Sequence, residues 1–125
     1  MNPEQVVRDF CGAWVRRDLD ELLSYFTPDA IYHNVPTEPK TGTAEIRAIF
    51  DAFLGLMELI DLEVVHSAAN GNVVFTERRD HFRQAGKERF MLPVNGVFEV
   101  RDGKIAAFRD YFDLATWVRG SGMPL

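Results

Sequence analysis

VVFTERRDHFRQAGKERFMLPVNGVFEV, residues 73–100, is the stretch on which the fold turns. Along Val73–Phe82 the side chains alternate: Val74, Thr76, Arg78, Asp80 and Phe82 share one face, and Phe75, Glu77, Arg79 and His81 share the other. That two-residue period belongs to a strand with one side turned to a core. Ala85-Gly86 then interrupts the run, and a second alternating stretch carries Phe90, Leu92 and Val94. Two strands with a short glycine-bearing connection form an antiparallel hairpin. Pro93 and Asn95 point away from the apolar face, which puts them at an edge or an interface.

The same period extends on both sides of this hairpin. After Leu59 four strand segments follow one another, separated by Asn70-Gly71, Ala85-Gly86 and Asp102-Gly103. The last has Ala106, Phe108, Asp110 and Phe112 on one face and Ile105, Ala107, Arg109 and Tyr111 on the other. Before Leu59 the spacing becomes helical. Asn2 caps and Pro3 begins a first helix with Val6, Val7, Phe10, Trp14 and Val15 on its apolar stripe. Asp18 and Glu21 form a capping pair for a short second helix with Leu19, Leu22 and Leu23, stopped by Pro28. A strand Ala30–Val35 precedes a third helix, Thr43–Leu56, whose apolar side is Ile46, Ile49, Phe50 and Phe53. Helices first and a meander last give an α+β fold, and a curved sheet with helices packed on one face would form a cone with room for a ligand.

Composition narrows the function classes. A chain of 125 residues closes one core, so residues 1–125 are read as one domain. With 46% hydrophobic and 26% charged residues it is an ordinary folded protein. A net charge of −5 lacks the basic face that phosphates require, so no nucleic-acid partner is expected. Nor is a membrane partner, since the start MNPEQVVRDF is no leader and no apolar run approaches about 18 residues. The lone Cys11 falls on the apolar helical stripe and reads as a buried thiol in a reducing, cytoplasmic setting. His33, His66 and His81 have neither the spacing nor the common face of a metal site, and the glycines are isolated turn residues, so neither metal nor cofactor is expected.

Polar residues on inward faces are the candidates for chemistry. Tyr32 and Asn34 share a strand face; Arg78 and Asp80 share another; Asp110 lies between the aromatics Phe108 and Phe112. Two carboxyls beside apolar groups, with an arginine near one of them, suit acid–base work on a neutral substrate, because a dry pocket with a shared cation can separate their proton affinities. The spacing is equally that of a buried structural ion pair, with Tyr32 and Asn34 an ordinary satisfied strand pair.

Three segments, IYHNVP at 31–36, FTERRDHF at 75–82 and FRDYFDL at 108–114, resemble in that order the limonene-1,2-epoxide hydrolase family of the NTF2-like, or SnoaL-like, superfamily. The likeness runs through the NGNVVFTER and NGVFEVRDGKI stretches to the closing MPL. It implies an NTF2-like (cystatin-like) cone, a curved, mostly antiparallel or mixed sheet with three to four helices over its concave face, and cofactor-independent addition of water to an apolar epoxide, cyclic or terpenoid ones among the candidates, giving a vicinal diol. The family's water-holding tyrosine and asparagine match Tyr32 and Asn34, its arginine and aspartate match Arg78 and Asp80, and its second aspartate matches Asp110. The resemblance thus implies Asp110 as general base, Asp80 as general acid and Arg78 as the bridge between them. Phe108 stands where the family motif can have tryptophan, and the chain begins nearer its first helix than family members often do. Candidates for the apolar lining are Phe53, Met57, Phe82, Leu92, Val94, Phe112 and Trp117. A homodimer is expected from the resemblance and from an outer sheet face carrying Val97. Competing readings are a ketosteroid-isomerase-like or SnoaL-like cyclase, which needs one base and an oxyanion donor, and a binding module without catalysis.

Overall fold

The computed structural model describes residues 2–123, so Pro124 and Leu125 of the closing MPL lie outside the described residues. Asn2 is extended and its side chain accepts the Gln5 N–H at 2.8 Å, which starts helix α1 (Pro3–Ala13) with proline in its first turn. Val6, Val7 and Phe10 are buried, and Cys11 with them. A 3₁₀ turn, Trp14–Arg16, follows. There Trp14 stays inside while Val15, expected on the same stripe, is 52% exposed, because three residues per turn no longer keep the α-helical face. Asp18 caps α2 (Leu19–Ser24) by accepting the Glu21 N–H at 3.1 Å, whereas the Glu21 carboxylate binds Arg16 at 2.9 and 2.5 Å instead of closing the capping pair. Pro28 is not the stop of α2. The helix ends at Ser24, whose carbonyl accepts Lys104 Nζ at 2.6 Å, and Pro28 lies within strand β1 (Phe26–Asn34).

The remaining elements are β2 (Lys40–Thr41), α3 (Gly42–Leu56), β3 (Met57–Asn70), β4 (Val73–Gln84), β5 (Phe90–Arg101), β6 (Lys104–Tyr111) and α4 (Leu114–Ser121). The six strands form one sheet in the order β2-β1-β6-β5-β4-β3. β3 to β6 make an antiparallel meander, while β1 joins β6 in parallel, with Tyr32 opposite Phe108 and Asn34 opposite Asp110. The α+β order expected from the sequence, helices first and an antiparallel meander last, is the one observed.

Local departures have local causes. The β3–β4 turn is Gly71-Asn72, one residue later than read, because Asn70 still pairs with Val73. At the β5–β6 turn Asp102 (φ 51°) and Gly103 (φ 78°) are both left-handed, as the tightest hairpin connection requires. Beyond it Glu99 and Val100 face Ala107 and Ile105, so β6 carries one extra residue, Ala106. This bulge reverses the alternation, and Ile105, read as outward, is buried along with Phe108. Pro93 pairs across with Arg79 in the inner strand β5, at a level beyond the last β5–β6 pair, Asn95 with Tyr111, so this stretch of an inner strand has an open side.

The helices close the concave face with aromatic groups. Phe10 of α1 packs edge-on against Phe26 and Phe108 with ring centres 5.1 and 5.5 Å apart, and Phe50 of α3 packs against Trp14 at 4.9 Å. Each fully buried phenylalanine contributes about 1.5–3 kcal/mol of transfer free energy. Among the described residues no helix is long and apolar enough to cross a membrane.

Candidate active site

The floor of the cone is built by register. Thr76, Gly96 and Asp110 lie side by side across β4, β5 and β6, and the next inward residues along β4 are Arg78 and Asp80. Arg78 is 1% exposed, and both of its edges are occupied. Nε and Nη2 donate to Asp80 Oδ1 and Oδ2 at 3.0 and 2.9 Å. Nη1 and Nη2 donate to Asp110 Oδ1 and Oδ2 at 2.9 and 2.8 Å. Two carboxyl groups, read from strands far apart in sequence, thus share one guanidinium through paired, charge-assisted bonds. The guanidinium carbon also lies 5.7 Å from the centre of the Phe108 ring.

Burial sets the protonation. An unpaired ion in such a place costs several kcal/mol, so the cation needs its partners. Burial opposes the Arg78 charge, but the Asp110 and Asp80 carboxylates outweigh it and hold Arg78 protonated well above its ordinary range. One cation between two ionised carboxylates leaves a net negative charge in the dry; retaining one proton on the pair removes it. Burial accordingly raises the Asp110 carboxyl to about 6, against the lowering effect of Arg78 and with a further push from Asp80.

Tyr32 and Asn34 come to the same place along β1. The Tyr32 hydroxyl donates to Asn34 Oδ1 at 3.0 Å, and burial first, then the Asp110 charge, raises its pKa. This bond leaves the oxygen lone pairs of Tyr32 and the amide N–H groups of Asn34 free for a third partner. All four groups, Tyr32, Asn34, Asp80 and Asp110, line a cavity of about 80 Å³, and Arg78 lies behind the carboxyls without lining it.

The walls are apolar. Of the residues expected there, Phe53, Phe82, Leu92, Val94, Phe112 and Trp117 line the cavity. Met57 does not: α3 ends at Leu56, Met57 opens β3, and its side chain is 1% exposed in the core. Trp14, Ile49, Phe50, Leu62 and Phe108 also line it and were not singled out from the sequence. Ile49 and Phe50 lay on the expected apolar side of α3, but strand and helix periodicity mark a core-facing side chain without distinguishing a packed one from one that borders a void. A second cavity of about 270 Å³ adjoins the first through Tyr32, Asn34 and Ile49 and is otherwise lined by Thr37, Glu38 and Lys40. Tyr32 and Asn34 therefore stand where the two cavities meet. Among the described residues no cluster of His, Cys, Asp and Glu has the arrangement of a metal site.

The model of the family described as limonene-1,2-epoxide hydrolase catalytic domain matches residues 1–121. The epoxide hydrolase EphG of Mycobacterium tuberculosis is 31% identical over 114 residues, which are 91% of this chain and 75% of that protein. A solved structure of an M. tuberculosis LEH-like epoxide hydrolase superposes with a TM-score of 0.83 at 29% identity, covering 95% of this chain and 88% of the other. An NTF2-like protein of unknown function from Burkholderia pseudomallei superposes with a TM-score of 0.87 at 22% identity over 98% and 99% of the two chains, a likeness of fold alone.

Proposed function

The chain belongs to the limonene-1,2-epoxide hydrolase family, and from that premise we propose that it is an epoxide hydrolase acting, without metal or cofactor, on a small apolar epoxide of cyclic or terpenoid type. The single observation that carries this reading is the shared fork: two carboxyls bordering one apolar cavity, both tied to the buried guanidinium of Arg78. An epoxide is neutral and strained, and opening it needs a nucleophile behind a ring carbon while the departing oxygen gains a proton. Asp110 is the general base, since it lies in register with Asn34 and a carboxyl held near 6 is ionised yet basic enough at neutral pH. A water donating to Asp110 and to Tyr32, and accepting from the Asn34 amide, keeps one lone pair free for the ring carbon. Asp80 is the general acid. In one step the water oxygen bonds to carbon, its proton passes to Asp110, the ring C–O bond breaks, and the freed oxygen takes the Asp80 proton. The product is a vicinal diol, and return of the proton from Asp110 to Asp80 closes the cycle. Arg78 keeps its own proton throughout and holds both carboxyls in place.

Residues 1–125 act in this reading as one catalytic domain. A second copy covers the outer sheet face, where Ile31, Phe75, Met91 and Tyr111 are exposed; light scattering at micromolar concentration should give a dimer, and a monomer would remove this part. Two carboxyls joined through arginine fit simultaneous proton gain and loss better than the single base of an isomerase or cyclase. The functional test is diol release from cyclohexene oxide, limonene oxide and the bulkier stilbene oxide. Diol is expected from the first two, and its absence from all three would end the hydrolase reading.

A further inference from the structure

Gly96 lies between Thr76 and Asp110 in the row that crosses β4, β5 and β6. Arg78 belongs to the next row, where its neighbour on β5 is Val94. To reach Asp110 its guanidinium must run diagonally back over position 96. A Cβ built on Gly96 would lie 2.4 Å from Arg78 Nη1, 2.8 Å from Asp110 Oδ1 and 2.9 Å from Thr76 Oγ1. Each distance is too short for ordinary packing, and none of the three groups is a loose chain end. Nor does the backbone call for glycine, because Gly96 is not among the residues with positive φ. What excludes a side chain here is the charged group above it.

Thr76 completes the surroundings. A guanidinium has five N–H groups. Four go to Asp80 and Asp110. The fifth, on Nη1, faces Thr76 Oγ1 at 3.4 Å, and the Thr76 hydroxyl in turn donates toward the Gly96 carbonyl at 3.5 Å. Both contacts are long, so their contribution is direction more than strength. They leave no buried donor of Arg78 without a partner and fix which way the hydroxyl points.

We propose that Gly96 and Thr76 form a seat for Arg78, as positioning residues that hold the guanidinium in the plane from which it addresses both carboxyls at once. The proposal rests on the acid–base reading above and assigns neither residue a contact with substrate. A small misplacement of a positioned group can cost on the order of 10²-fold in rate. The seat should therefore act on kcat and leave KM alone.

The experiment compares Gly96→Ala, Thr76→Val and Thr76→Ser in the full chain by two readouts. One is kcat and KM on cyclohexene oxide. The other is the pH titration of ¹³C-labelled aspartate carboxyls by NMR, which needs no turnover. Gly96→Ala should lose on the order of 10²-fold in kcat with KM within about twofold, and the Asp110 carboxyl should titrate at higher pH as its cation moves off. Thr76→Val should lose about tenfold in kcat, and Thr76→Ser, which keeps the hydroxyl, should return to within about twofold of wild type. The seat is overturned by a Gly96→Ala protein that melts like wild type, turns over at the wild-type rate and leaves the carboxyl titration unmoved. It is equally overturned if Thr76→Ser is as impaired as Thr76→Val, which decides the matter should Gly96→Ala not fold. A wild-type protein that opens no epoxide removes the acid–base reading, while the titration still reads the seat.

Discussion

The two faces of β4 use the same kinds of residue one position apart and give them opposite roles. On the inner face Arg78 and Asp80 have side chains 0% and 5% exposed and bond through paired contacts. On the outer face Glu77 pairs with His66 at 2.9 Å and His81 with Glu63 at 2.8 Å, with three of these four side chains well exposed. Out there water and salt screen the carboxylates of Glu77 and Glu63, and each contact is worth little. Inside, the Arg78 cation and the carboxyls of Asp80 and Asp110 act on one another without that screening. Alternation decides which arginine is which: Arg78 and Arg79 are neighbours in sequence but lie on opposite sides of the sheet.

The strongest way to break this contrast is to neutralise the inner carboxyls. Asp80→Asn and Asp110→Asn should each lower diol formation on the order of 10²-fold or more with circular dichroism unchanged, and the double variant should be little worse than either alone. Arg78→Lys keeps a charge but loses the fork, and should fall strongly too. A folded Asp80→Asn enzyme near wild-type turnover would take the general acid out of the scheme.

A smaller effect is read from pH. As Asp110 must be ionised to act as base, kcat/KM should fall about tenfold per pH unit below about 6, the value to which burial raises it. A rate that stays flat from pH 7 down to 5 would assign the base elsewhere. Stability should run the other way over a related window. The folded carboxyl binds its proton up to about 6 and an ordinary one only up to 3.8, so unfolding between these values releases a proton and stability falls as pH rises. Above about 6 that contribution is flat. Urea midpoints measured from pH 4 to 7 should show the decline in wild type and a shallower one in Asp110→Asn; equal slopes would contradict it.

The smallest effect belongs to the outer face. Glu77→Gln and Glu63→Gln each remove one partner of an exposed pair and should leave turnover within about twofold. A large loss from either would mean that the two faces are not separate. Chelation with EDTA should likewise leave turnover unchanged, because in the proposed reaction side chains supply the cation, acid and base; loss of activity restored by a divalent metal would contradict this.

This contrast is mostly legible in the sequence. Period-two alternation from Val73 to Phe82 assigns Glu77, Arg78, Arg79, Asp80 and His81 to their observed faces. Alternation failed at Ile105, since a one-residue bulge at Ala106 shifts the phase and leaves no mark in composition. Pro28 reads as the end of a helix yet lies in β1, because proline is compatible with a strand as well as with a helix stop. Within the site, Tyr32, Asn34, Arg78, Asp80 and Asp110 were all named from the sequence, and the register brings them together. What spacing alone could not give was that Asp110 meets Arg78, as the two lie on strands separated by β5. Gly96 passed unnoticed for a related reason: a glycine in a strand is recognisable, but the guanidinium above it comes from a different row.

The central claim, that water held on the inner face attacks the epoxide directly, is tested by one turnover in H₂¹⁸O with enzyme in excess over cyclohexene oxide. Direct attack puts one ¹⁸O into the diol in that first turnover. A route through an aspartyl ester would take the new oxygen from the unlabelled carboxylate instead, and the first diol would carry no label. The expected result is diol heavier by one ¹⁸O; unlabelled first-turnover diol would contradict the general-base role of Asp110 and the one-step reaction together.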